Sequence, residues 1–306
     1  MLRSLFTGIS GLTAHQQMLD VTANNIANVN TTGFKASRAE FQDTLSQTLQ
    51  GAAAPRSNAA GETAVGGTNA RQIGLGVRLA GTELNMGQGA TQSTGVGTDM
   101  MINGDGFFVV QKGDNHQALY TRAGGLHLDQ QGHLVTPDGA LVSGVKATAG
   151  VLGAQPTAVA GLAPLDLSPL LNGYDASGPI YGAPGTPTGK YVSYSIDVSG
   201  AVTAVRDDSG KDVLGQLTLA TFANPNGLQK TGDTEFTATG GSGDPVFGAA
   251  DSGSIGSITT GELEMSNVDL SAELTNLIIS QRGYQANSKT VTTADQILQT
   301  LVSLKQ

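Results

Sequence analysis

Leu2-Arg-Ser-Leu5-Phe-Thr-Gly-Ile9-Ser-Gly-Leu12-Thr-Ala-His-Gln16-Gln-Met-Leu19-Asp-Val-Thr-Ala23-Asn-Asn-Ile26 opens the chain with marked positions that alternate threes and fours, Gln16 being the one polar step. This is a heptad seam, and it predicts a helix over residues 2 to 28. The helix should stop in Asn28-Val-Asn30-Thr-Thr-Gly33, because asparagine and glycine tolerate the left-handed backbone that ends helices. The other end of the chain mirrors it. Asp269 can cap a segment carrying Leu270, Leu274, Leu277, Ile278, Gln281, Tyr284, Val291, Ala294, Leu298 and Leu301, again at threes and fours, with Gly283 as a possible weak point. At ~1.5 Å per residue the two helices reach on the order of 40 and 50 Å.

A solvated helix carries charge on its outer face, yet from Ser4 to Phe34 the only formally charged side chain is Asp20. The apolar stripe is worth ~1.5–3 kcal/mol per buried side chain, so it needs a partner along its length. One heptad seam seeks another, which pairs Leu5, Ile9, Leu12 and Leu19 with Leu274, Ile278, Leu298 and Leu301. One partner covers one stripe. The remaining amide and hydroxyl surface, with Asn24, Asn25, Asn28, Gln281 and Gln285, suits contact with further copies, while a two-helix stalk with a polar outer face is the plainer alternative.

Between the helices the pattern changes to short apolar runs, as in Gly106-Phe-Phe-Val-Val, Leu126 to Val135 and Leu217 to Phe222, which read as strands. Turns at Asp129 to Gly132 and at Pro137-Asp-Gly139 predict a compact meander over residues 100 to 145, and Ser199-Gly200 joins a further pair. Residues 50 to 70 read as a weakly ordered connection, and 146 to 190, with Pro156, Pro164, Pro169, Pro179, Pro184 and Pro187, as an insertion. The expected class is thus α+β, an all-β middle inserted between paired terminal helices. Its divisions are 1–35 plus 268–306, a connection over 36–76, a β domain of 77–145 plus 191–267, and the insertion. Asn30, Gly33, Gly66, Gly67, Gly74 and Gly76 are the expected hinge and turn positions, since glycine redistributes backbone angles at little steric cost.

Composition removes whole classes of function. With 43 glycines in 306 residues and only 13% charged residues, the chain is polar without being charged. A net charge of -9 leaves no basic surface for nucleic acid. No stretch approaches the ~18 apolar residues of a membrane span, and the start lacks the apolar core of a cleaved signal peptide, so neither membrane insertion nor conventional secretion is expected. Absence of cysteine excludes thiolate metal sites and cysteine nucleophiles.

His127 and His133 with Asp129 and Asp138 are the best metal candidate, but their spacing fits no known site and the histidines alternate outward on a hairpin. His15 lies in a helix and His116 in a turn, so neither completes a constellation. No nucleophile elbow is present, and Gly189-Lys190 and Gly210-Lys211 lack the earlier glycine of a phosphate loop. Neither a catalytic residue, a cofactor nor a metal is therefore expected. Arg282 and Tyr284 remain open between interface anchors and plain solvated or core side chains, as does Tyr120.

Ser4-Leu-Phe-Thr-Gly-Ile-Ser-Gly-Leu12 and Asp20-Val-Thr-Ala-Asn-Asn-Ile-Ala-Asn-Val-Asn-Thr-Thr-Gly-Phe-Lys35 closely resemble the amino-terminal signature of bacterial flagellar rod and hook proteins. Gly261-Glu-Leu-Glu-Met-Ser-Asn-Val-Asp-Leu270, Gln281-Arg-Gly-Tyr-Gln-Ala-Asn-Ser-Lys289 and Asp295-Gln-Ile-Leu298 resemble the family's carboxyl-terminal helix. Ile102-Asn-Gly-Asp-Gly-Phe-Phe108, Tyr120-Thr-Arg122 and Phe222-Ala-Asn-Pro-Asn-Gly-Leu228 are similar inner motifs, and only 146 to 195 lack a counterpart. Phe222 to Leu228, Ser266 to Ser271 and Gln285 to Ser288 look more like the hook than the distal rod protein, although the insertion is short for a hook. The resemblance implies a subunit of the flagellar hook that self-assembles into a flexible hollow tube transmitting torque from rod to filament, with helices lining the channel and β regions outside, and the distal rod protein is the alternative. It also implies type III export, and distal rod, hook cap and hook-filament junction proteins as neighbours. Outside the family, a secreted adhesin or metal-dependent hydrolase are the rivals.

Overall fold

In the computed structural model, which describes residues 2–57, 63–113, 117–148, 151–152, 155, 161–175, 178–180 and 188–304, the chain divides into two units. Together they make a mixed α+β protein.

The first unit holds residues 1–27, 37–83 and 269–306. Its N-terminal helix runs Leu2–Ala27 and its C-terminal helix Leu270–Ser303, close to the heptad expectation at both ends. Asp269 caps the second as its sequence position predicts, its carboxylate accepting from the backbone N–H of Ser271 and Ala272. Gly283 does not interrupt that helix. The helices are antiparallel, since Gly8 approaches Val291, Gly11 approaches Asn287 and His15 approaches Gly283.

Residues 37–57 and 63–84, expected in large part to be a connecting segment, pair with each other as the two arms of a long antiparallel ribbon. Ser37–Asp43 lies beside Val77–Leu84, Ser46–Gln50 beside Arg71–Gly74, and Arg56–Ser57 beside Thr63–Val65. Hydrogen bonds from Arg38 to Glu83, Arg78 to Gln42 and Thr44 to Gly76 climb one strand as they descend the other. Most of its side chains are exposed on both faces, so no alternating apolar pattern announced it. The part of the expected connection at 58–62 lies outside the described residues.

The second unit, residues 28–36 and 84–268, is built on two antiparallel sheets. The larger runs His127–Leu128, Leu134–Val135, Leu141–Val142, Phe107–Lys112, Gln117–Thr121, Glu235–Thr237 and Gln229–Gly232, with Leu219–Thr221 and Val246–Gly248 joined at the side. This corrects the expected meander. The chain leaves Gln117–Thr121, crosses away, and returns through the Pro137–Gly139 turn to lay Leu141–Val142 on the opposite edge of Phe107–Lys112. The smaller sheet orders Val151–Leu152, Gly144–Thr148, Lys211–Leu217, Ala201–Arg206 and Tyr191–Ile196.

Phe107–Lys112 is the central strand, and its pleat feeds two cores. Phe108 and Val110 join Leu119, Leu134, Val142 and Leu217 on one face, while Phe107 and Val109 join Tyr120, Phe222 and Phe236 on the other. A strand covered on both faces reads as a continuous apolar run, which is why Phe107-Phe-Val-Val shows no alternation. The insertion is not separate from this core: Leu165 and Leu167 are fully buried in it, and the Leu165 N–H donates to the Val142 carbonyl at 2.8 Å. His116, Pro156, Pro184 and Pro187 lie outside the described residues.

Candidate functional site

The terminal helices carry a long row of exposed apolar side chains, and their mutual contact differs from the expected pairing. Gly8, Gly11 and Ala14 are buried on the N-terminal helix, opposite Ser280 and Ala294 and the half-buried Gly283 on its partner. A Cβ on Gly11 would stand 2.7 Å from the Asn287 amide, and one on Gly283 would stand 2.4 Å from the His15 ring. Small residues thus bring the helices close, and the branched residues are turned off the contact line. Leu5, Leu12, Leu19, Ile26, Leu277, Val291 and Leu298 are half-buried at its margins. Ile9, Leu274, Ile278, Tyr284 and Leu301 are exposed, as are Phe6, Ile279, Ile297 and Val302, which the heptad reading left out. Ile278 is 57% exposed. At ~25 cal/mol per Å², such residues supply a strong drive toward covering this face.

Asn25 is the exception among the polar positions, being 1% exposed. Its Oδ1 accepts from the Ser37 N–H at 3.0 Å while its Nδ2 donates to the Ser37 carbonyl at 2.8 Å and to Glu273 Oε1 at 2.9 Å. One carboxamide therefore holds the base of the hairpin and the first turn of the C-terminal helix against the N-terminal helix. Asn24, Gln281, Arg282 and Gln285 are exposed, and Arg282 donates to Gln285 at 3.4 Å along its own helix.

The expected hinge glycines differ among themselves. Gly66 and Gly74 have nothing within 4 Å of a built Cβ, and Gly67 faces the Ala53 carbonyl and Pro55 at 3.1 Å. Gly76, by contrast, has φ +135° and no room, because a Cβ would lie 2.2 Å from Ser10 Oγ. It is where the hairpin backbone touches the N-terminal helix, and Ser10 Oγ accepts from Val77 N–H there at 3.3 Å.

In the second unit Asn28 and exposed Asn30 lie in the helix-ending turn, with the Thr31 hydroxyl donating to Asn28 Oδ1 at 3.1 Å. Gly33 has φ +69°, and a Cβ there would meet the Ala123 N–H at 2.4 Å. Two residues on lies an ionic node that sequence reasoning missed. Lys35 and Glu264, both with 0% side-chain exposure, pair at 2.6 Å, and Arg122 Nη1 stands 3.4 Å from the other Glu264 oxygen. Lys35 also donates to the Gly87 carbonyl, Arg122 to the Gly104 carbonyl, and Glu264 accepts from the Gly89 N–H. Burial lowers the Lys35 and Arg122 pKa values, against the opposing pull of Glu264. Asn267 adds a second tie, accepting from Ala36 N–H and donating to the Asn85 and Gly87 carbonyls. The available signal was that Phe34-Lys35, Tyr120-Thr-Arg122 and Gly261-Glu-Leu-Glu264 each place charge inside a motif in a chain short of charge.

The histidine and aspartate group weighed and set aside as a metal site engages in local turn contacts. Asp129 accepts from the N–H of Gln131 and His133, His127 is exposed, and Asp138 binds the Thr136 hydroxyl at 2.5 Å and Lys112 at 2.6 Å. Tyr120 is a core aromatic, edge-on to Phe222 with ring centres 4.8 Å apart.

Residues 5–35 match the family described as flagella basal body rod protein, 101–204 the flagellar hook protein FlgE/F/G D1 domain, and 259–304 the flagellar basal body rod FlgEFG protein C-terminal family. The flagellar basal-body rod protein FlgG of Bacillus subtilis (strain 168) is 42% identical over 309 residues, and that of Borreliella burgdorferi 35% over 312, each with 100% of both chains covered. The flagellar hook protein FlgE of Borreliella burgdorferi is 31% identical over 449 residues, again with 100% of both chains covered. With matches at both helical ends and in the β unit, and with relatives aligned along their whole length, the chain belongs to the flagellar rod and hook protein family and is a structural subunit of the flagellar axis.

Proposed function

We propose that the chain is a distal-rod-type subunit rather than the hook subunit that its inner motifs suggest. The observation that carries this reading is length. The rod relative from Bacillus subtilis aligns over 309 residues with a chain of 306, whereas the hook relative needs 449, so the hook protein carries long stretches with no counterpart here. The burial of Leu165 and Leu167 in the main core supports it, because the insertion then contributes to the β unit and leaves less chain for an outer domain.

In this reading copies of the chain polymerise through the exposed apolar face of the terminal helices, and other axial proteins join at the ends of the polymer. Export through the flagellar type III apparatus would deliver the subunit without a cleaved signal. Imaging the polymer formed by the purified chain tests the choice. A straight, stiff tube is expected, and a curved tube that changes shape under flow would restore the hook reading. Rescue of a strain lacking its rod protein, but not of one lacking its hook protein, is the matching genetic outcome.

A further inference from the structure

Asn103-Gly104, Asn172-Gly173 and Asn226-Gly227 each set an amide side chain beside a backbone nitrogen that no following side chain shields. The fold treats them differently. The Gly173 N–H donates to the Pro169 carbonyl at 2.7 Å and the Gly227 N–H to the Asn224 carbonyl at 3.1 Å, both within helical turns. Asn103 instead is exposed at the end of the strand Met100–Asn103, and Gly104 follows it with φ +107°. The exposed Gln88 side chain meets this pair twice: its Oε1 accepts from the Gly104 N–H and its Nε2 donates to Asn103 Oδ1, each at 3.4 Å. One carboxamide therefore touches both the nitrogen that can attack and the oxygen of the amide it can attack. Arg122 Nη2 donates to the Gly104 carbonyl at 2.8 Å, and Arg122 shares the Glu264 carboxylate with Lys35, two cations on one anion.

We propose that Asn103-Gly104 is a self-modification site, at which the Gly104 nitrogen closes on the Asn103 side chain with the help of Gln88. The bond from Gly104 N to Asn103 Cγ forms, the Gly104 N–H proton passes through water to Nδ2, and the Cγ–Nδ2 bond breaks with loss of ammonia. A cyclic imide is left. Water then adds to one of its two carbonyls; opening on the Cγ side gives aspartate, and opening on the main-chain side gives isoaspartate, with the chain running through the former side chain. Gln88 Nε2 stabilises the negative charge that develops on Oδ1 while Oε1 draws on the N–H, the logic of a preorganised oxyanion site. The product suits its surroundings, because the new carboxylate adds negative charge close to Arg122, where two cations share one anion. Isoaspartate lengthens the main chain at the residue that pairs with Ser257, so the end of that strand pair loosens. The subunit thereby carries a covalent record of the time since it folded.

The full chain, kept folded at mildly alkaline pH in heavy-oxygen water and mapped by peptide mass spectrometry, tests this, with isoaspartate read by enzymatic methyl transfer. Label is expected at Asn103, with Asn172 and Asn226 still amides, and denaturant should bring the three rates together. Gln88→Ala, at an exposed position, should slow the Asn103 reaction roughly tenfold and leave the denaturant midpoint unchanged. No reaction at Asn103, or equal rates at the three pairs in the folded chain, would overturn the proposal. An Asn103 rate that is unchanged or faster in Gln88→Ala would overturn it as well.

Discussion

The two units solve the problem of burial in opposite ways. In the β unit the largest side chains are the most buried: Phe108, Val109, Leu214 and Leu217 have no exposed surface, and one strand serves two cores. In the helical unit the smallest are buried, and Phe6, Ile278 and Val302 remain more than half exposed. The first arrangement is complete within one chain. The second leaves apolar area exposed, which is the contrast that the proposed association through this face rests on.

The largest effect should come from breaking the β unit. Phe108→Ala removes a ring with 0% exposure and should cost about 3–5 kcal/mol, read as a lower denaturant midpoint. Next is the ionic node, where Lys35→Met leaves the Glu264 carboxylate with only the more distant Arg122 cation; about 3 kcal/mol is expected by the same measurement. Within the helical unit, Gly283→Ala should cost about 1–2 kcal/mol, since the new methyl group meets the His15 ring while helix propensity returns part of the loss. Hydrogen exchange should show that loss confined to the helices and hairpin, and a β unit weakened equally would erase the contrast between the units. Smallest for the isolated chain is Ile278→Asp, which on an exposed position should change stability by less than about 0.5 kcal/mol. Its effect should appear only in polymer formation, measured by sedimentation, and normal polymerisation would show that this face is not the one used.

The helices were legible because heptads, an Asp cap and an Asn/Gly stop are local signals, and the ends at Ala27 and Leu270 follow from them. Their mutual face was not. Apolar spacing says which residues want cover but not which neighbour supplies it, whereas the close approach is set by Gly8, Gly11 and Gly283, which carry no hydrophobic signal. The strand order failed for a related reason, because Leu141 pairing with Gln111 depends on chain distant in sequence. The Lys35, Arg122 and Glu264 node draws its members from three separate segments, so each looked like an ordinary motif residue until folding brought them together.

Asn25 has a consequence for where the molecule can work. An amide has no proton to gain or lose across the ordinary pH range and no charge for counter-ions to screen, so its paired bonds with Ser37 are indifferent to acidity and to salt. The exposed Arg38 and Glu83 pair, on the same hairpin, weakens as ionic strength rises. The root of the hairpin is thus fastened by polar bonds that neither acidity nor salt tunes, while the ion pair on the same hairpin answers to both.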